Sequence, residues 1–231
     1  MNLKTILIIL VAGLSFAQGA VENPKAQREK AQQLMREGNW KDALELWQET
    51  LADVDDAESA KDLNSAVACL LRLEKMPEFD ALMENAVKVH SENWRVLHQA
   101  ASSYQNTRHW GRKLDGEFQR GQNQGGGNWI QSGARDRVRS LQLYLNALEK
   151  GGEAMSDKER ADVMSDLARS LTSDRTNPQT LWALAVLTPL DALPDFDDGR
   201  GLSSGSGAPV DDDGNPLYFE IPESWEAAAS D

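Results

Sequence analysis

The sequence predicts an all-α fold, a solenoid of antiparallel helical hairpins. Three observations predict it. An apolar pattern recurs in one frame across three successive units, small residues stand where two helices of a unit must approach, and a capping sequence opens a further helix beyond the third unit. Cysteine usage fits this architecture. Cys69 is the only cysteine among 231 residues, so no internal disulfide can form and stability must come from helix packing. Its neighbours Ala68, Leu70 and Leu71 predict a buried structural thiol.

The chain opens on a segment unlike the rest. Lys4 precedes the apolar run Thr5 to Leu14, and Ser15 and Ala17 stand at the −3 and −1 positions of a cut after Ala17. A positive start, a short apolar middle and a small-residue exit predict a signal peptide over 1–17 and an exported, periplasmic or extracellular protein. A retained membrane anchor is the weaker reading, since no stop-transfer charge cluster follows.

The repeat region is expected over 18–150. The run Gly38-Asn39-Trp40-Lys41-Asp42-Ala43-Leu44-Glu45-Leu46-Trp47 has the turn, small residue and aromatic spacing of the second helix of a tetratricopeptide hairpin. With a period of about 34 residues, the first unit falls at 24–57, placing Ala31 and Leu34 on its first helix. A second unit at 60–93 sets Leu63, Ala66, Val67 and Leu70 on one stripe, with Phe79, Met83 and Ala86 on the facing helix. A third opens at Trp94 with Leu97, Ala100, Ala101 and Tyr104 at the same inner positions. These repeats are divergent: Ala31, Val67 and Ala101 stand where glycine is usual, and Asp55 and Ser91 where proline is usual.

The third unit is interrupted. Gly121-Gln122-Asn123-Gln124-Gly125-Gly126-Gly127 cannot be helical, so residues 112–133 read as an insertion, pinned to the stack by Trp129 and Ile130. The delayed second helix resumes near Arg135, with Ser140, Tyr144 and Ala147 on its inner face. Capping helices are expected over 151–190. Ser156-Asp157-Lys158-Glu159 is a capping box opening one of them, which runs to about Leu171. Thr180 to Leu187 is a last apolar segment. From 191 to 231 the chain reads as an irregular tail. Ala208 to Val210 and Leu217 to Pro222 flank Asp213-Gly214 as a small β-hairpin, and Glu223 to Asp231 starts a further element.

Composition excludes several functions. A net charge of −13 opposes binding to nucleic acid and to anionic membrane surfaces. Gly201-Leu202-Ser203-Ser204-Gly205 matches G-x-S-x-G, but it lies in a Ser/Gly loop, and His90, His98 and His109 all precede it, against the order a hydrolase elbow requires. The acidic turns at Asp195 to Gly199 and Asp211 to Asn215 lack the spacing and distant Glu of a calcium loop. One cysteine and unpaired histidines make a zinc site improbable. No catalytic residue, cofactor site or metal site is therefore assigned.

One stripe carries a binding expectation. Positions 2, 5, 9 and 12 of the first helices read Lys25, Arg28, Gln32, Met35; Lys61, Asn64, Ala68, Leu71; and Arg95, His98, Ser102, Gln105. No member is acidic, although the chain is strongly so. An ordinary solvated face is the plain reading. The sharper one is a peptide groove in which Lys25, Arg28, Lys61, Asn64, Arg95, His98 and Gln105 hold a partner segment rich in carboxylates.

Three strings add a resemblance. They are Gly116-Glu117-Phe118-Gln119-Arg120-Gly121, Arg135-Asp136-Arg137-Val138-Arg139, and Gly207-Ala208-Pro209-Val210-Asp211 through Pro216-Leu217-Tyr218 to Ser224-Trp225-Glu226. With them the chain resembles the amino-terminal region of bacterial, planctomycete-type alpha-2-macroglobulin-like proteins. That resemblance implies an adaptor segment placed before a protease trap. The Cys-Gly-Glu-Gln thioester does not occur here, so no trapping chemistry carries over. The expected function is an exported protein-interaction module and not an enzyme. The alternatives are a free-standing periplasmic scaffold and, remotely, a hydrolase using Ser203.

Overall fold

A computed structural model describes residues 23–114, 116–122 and 127–172, together with 190 and 193. Among them are α1 (Pro24–Glu37), α2 (Trp40–Asp53), α3 (Ser59–Arg72), α4 (Phe79–Val89), α5 (Trp94–Asn106), α6 (Gly133–Gly151) and α7 (Asp157–Thr172). Three short strands, β1 (Trp110–Leu114), β2 (Glu117–Arg120) and β3 (Asn128–Gln131), lie between α5 and α6. The fold is all-α with one small sheet. The described residues contain no helix long and apolar enough to cross a membrane.

Local chemistry sets the helix ends. Asn23 caps α1 by accepting the Ala26 amide at 3.1 Å, and Pro24 occupies a first-turn position that needs no donor. Gly38 closes the same helix in the left-handed region at φ 86°, which a β-carbon would oppose. The Ser156–Glu159 box forms as expected, the Glu159 carboxylate accepting the Ser156 amide at 2.9 Å.

The repeat frame of the sequence is the frame of the core. Ala31, Ala43 and Trp47 of the first unit are buried, as are Leu63, Ala66, Leu70, Phe79, Met83 and Ala86 of the second. So are Leu97, Ala100, Ala101, Tyr104, Ser140, Tyr144 and Ala147 of the third. Leu34 and Val67 are half-buried against the same cluster. Each large apolar side chain removed from water contributes roughly 1.5–3 kcal/mol, so the stack is held by many comparable contributions. Cys69 is fully buried among them, and burial pushes its thiol up to about 11.

Polar cross-links pin the third unit. Ser140 Oγ donates to the Ala101 carbonyl at 2.8 Å, and Tyr104 Oη donates to Glu84 at 2.8 Å while its ring meets Phe79 edge-on at 5.6 Å. Glu84 also takes two donors of Arg139, so α4, α5 and α6 meet at one carboxylate.

The insertion expected over 112–133 has strands that the sequence reading did not foresee. It is an antiparallel sheet in the order β2-β1-β3, starting at Trp110 and ending where α6 begins at Gly133. Gly111 pairs with Arg120 on one side and Ile130 on the other. A β-carbon at Gly111 would collide with the Gln119 carbonyl oxygen, which is why glycine stands there. Ile130 is buried and pins the sheet, as expected; Trp129 is 50% exposed and does not.

The signal peptide, the apolar segment at Thr180 to Leu187, the Ser203 loop and the hairpin expected between Ala208 and Pro222 lie outside the described residues.

Candidate functional site

The seven groove candidates are brought onto neighbouring first helices, but most are already partnered. Arg28 on α1 reaches two carboxylates. Its Nε and Nη2 contact Asp62 at 2.8 and 2.7 Å, and its Nη1 and Nη2 donate to Asp56 at 2.8 and 2.9 Å. Arg95 on α5 donates to Glu159 of α7 at 2.8 Å, and His98 Nε2 lies 2.9 Å from Asp166 of α7. Lys61 is bound at 2.7 Å to Glu58, the residue just before its own helix. Gln105 accepts from Tyr144 Oη at 2.9 Å, and Asn64 accepts from Gln99 at 3.4 Å. Lys25 is exposed on α1.

The stripe is thus largely the seam between successive first helices. The cation stands on the earlier helix and the acid on the later one, at both α1–α3 and α5–α7. Sequence spacing shows which residues share a face, yet it cannot show that a partner from the next unit already sits opposite. Lys25 and Lys61 stay exposed, and the Lys61–Glu58 pair is a surface pair of the kind that contributes little. Those two cations are available for exchange. Arg28, enclosed by two carboxylates, is a structural clamp.

Its two carboxylates are not equal. The hydrogen bonds from Arg28 hold Asp56 below the ordinary range, whereas burial keeps Asp62 above it despite the same guanidinium.

A second cation site was hidden from the sequence. Arg120 of β2 is 1% exposed and binds two helices at once. Its Nη2 donates to Asp80 of α4 at 2.6 Å and to Asp136 of α6 at 2.8 Å; its Nη1 donates to the Arg108 carbonyl at 2.7 Å and to Asp136 at 2.7 Å. Phe79 and Phe118 flank it, at 5.1 and 5.3 Å from the guanidinium carbon to the ring centroids. Asp136 also accepts from Ser132 Oγ at 2.7 Å and lies 2.9 Å from His109 Nδ1. Burial opposes ionisation of Asp136, but hydrogen bonds from Arg120, His109 and Ser132 outweigh it and hold the carboxyl below its usual range. Arg120, Ser132 and Asp136 face one another in its buried centre, so the cluster fastens the sheet. The available signal was Arg120 and Asp136 inside two of the quoted strings.

On its other side the sheet carries a ladder in which Trp129 and Arg108 are exposed and Trp110 and Arg112 half-buried. Trp110 and Trp129 pack at 5.1 Å, Arg112 lies over Trp129 at 4.8 Å and Arg108 over Trp110 at 6.0 Å. Among the described residues no group of three or more His, Cys, Asp or Glu side chains could hold a metal ion. No family model, curated protein or solved structure matches the chain.

Proposed function

We propose that the chain is an exported protein-interaction module of the tetratricopeptide type, serving as the adaptor segment at the front of an alpha-2-macroglobulin-like trapping protein. The observation that carries the interaction reading is the shared frame. Apolar stripes of three units are spent on one another, and the first helices of the first two units keep Lys25, Gln32, Lys61 and Asn64 exposed beside them. A stack of this kind buries its core between units and presents an extended face to a guest. The partner has an acidic or carboxylate-bearing segment, contacted at the α1–α3 end by Lys25, Lys61 and Asn64. No cofactor or nucleic acid takes part.

The test is capture from envelope extract by tagged protein spanning residues 18–231, with and without Lys25→Glu and Lys61→Glu. Both side chains are exposed, so the fold tolerates reversal. The double variant is expected to lose the captured species by about tenfold or more. Equal capture by both forms removes the groove. Arg95→Glu is unsuitable, because Arg95 is half-buried and ties α5 to Glu159 of α7, whereas the Lys61–Glu58 pair is exposed and local.

A further inference from the structure

We propose a second binding site beyond the groove: the outer edge of β3, unpaired among the described residues, with the Trp/Arg ladder beside it, receives an extended acidic segment of a partner polypeptide as an added strand. Three observations converge on it, and none depends on the groove.

The first is the edge. In the order β2-β1-β3 both outer strands are edges. The edge of β2 is occupied: Gly121 beside it packs on Met76, and Arg120 is buried in the clamp. β3 pairs with β1 alone among the described residues. An unpaired strand edge is a template for another strand, and natural proteins usually blunt it. Here the neighbouring face carries the residue types most enriched at binding hot spots, Trp and Arg.

The second is charge. Residues 108–139 hold seven Lys and Arg against three Asp and Glu, a net of +4 within a chain of −13. Arg120 and Arg139 are consumed by Asp136 and Glu84. Arg108 and Lys113 are exposed beside and on β1, Arg112 lies half-buried over Trp129, and Glu117 pairs with Leu114 on the far strand. A basic island on an acidic molecule selects an anionic occupant.

The third is the shape of the ladder. Partners across antiparallel strands share a face, so Trp129 and Arg112 stand together, as do Trp110 and Gln131. The two indoles meet at 53° and 5.1 Å, with a guanidinium over each. A nucleobase or sugar ring needs an open flat aromatic face. Neither indole offers one between the other ring and its cation. Carboxylates on alternate residues of a strand would meet the cations edge-on, while its backbone pairs with Asn128–Gln131.

The probe is a labelled peptide of alternating Glu and Thr, about eight residues long and suited to an extended strand. Its counterpart of alternating Gln and Thr is the control, and both are titrated against the full chain by fluorescence anisotropy. The acidic peptide is expected to bind at least about tenfold tighter than the neutral one. Trp129→Ala, at a half-exposed position, and Arg108→Glu should each weaken it by about tenfold. Amide exchange should slow at Asn128–Gln131. Lys25→Glu with Lys61→Glu removes any share of the probe that the groove takes and should leave the exchange protection at Asn128–Gln131 intact, which separates failure here from failure of the groove. Equal binding of the two peptides, exchange protection confined to α1 and α3, or no binding at about 1 mM overturns the proposal. A dimer dissolved by Trp129→Ala, or a single-stranded oligonucleotide outcompeting the peptide, overturns it as well.

Discussion

The helical stack and the inserted sheet solve the same problem, attachment, by opposite means. In the stack, attachment is distributed. Trp47, Leu70, Phe79, Met83, Leu97 and Tyr144 each bury a side chain against neighbours from another helix, and small residues such as Ala66 and Ala100 let the helices close. Loss of any one leaves the rest. The sheet is too small for that, since its strands are five, four and four residues long and only Ile130 supplies a buried apolar side chain. Arg120 and the carboxylates of Asp80 and Asp136 do the fastening instead. Distributed apolar contact is robust, whereas a buried ion cluster fails when any member is removed, because the remaining charge is left without compensation.

The largest expected effect tests that difference directly. Arg120→Met strands Asp136 in a buried position and should cost about 3–5 kcal/mol in urea denaturation. Exchange protection should vanish first over Trp110–Gln131 while α1 and α2 keep theirs; uniform loss would break the comparison. Adding Asp136→Leu should recover most of the loss, because a buried pair can be replaced by apolar groups at little cost. Leu70→Ala comes next, at about 3 kcal/mol, and should lower protection throughout the stack without singling out the sheet.

Arg28→Ala should cost less, about 1.5 kcal/mol, because the clamp at the α1–α3 seam is nearer water and the stack holds without it. The smallest effect is in pH, where the two clamps differ in sign. Asp136 is held below the usual range, so its contribution is present above the unfolded value of about 3.9 and lost as pH falls through the folded value. Asp62 is held above that range, so its ionised form carries a penalty at neutral pH that acidification relieves. Lowering pH from about 7 to about 3 should narrow the stability gap between wild type and Asp136→Asn. For Asp62→Asn the same titration should shift the balance in favour of wild type.

The helices were legible because their signal is periodic and redundant. Three units at one spacing placed Phe79, Met83 and Tyr144 correctly even though the usual glycine and proline positions had drifted. The strands were not, because the sheet buries Gly111, Ile130 and Arg120 on its inner side, a glycine, one aliphatic and a cation. That trio gives no alternation of apolar and polar residues. A charged residue reads as surface in any pattern, and only carboxylates 40 positions earlier and 16 positions later, carried in by α4 and α6, make Arg120 an inner residue.

The candidate sites divide along the same line. Residues sharing a helix face were known from spacing alone, since a helix fixes the direction of every side chain from its own backbone. The amino-acid sequence therefore determined the all-α stack, the repeat frame, the buried thiol and the membership of the basic stripe. What lies opposite a side chain is a different kind of fact. Asp62 opposite Arg28, Glu159 opposite Arg95 and Asp136 opposite Arg120 come from 34, 64 and 16 residues away. Only the packed molecule decides such pairings, because a charge acts over a few ångströms of space and takes no account of distance along the chain.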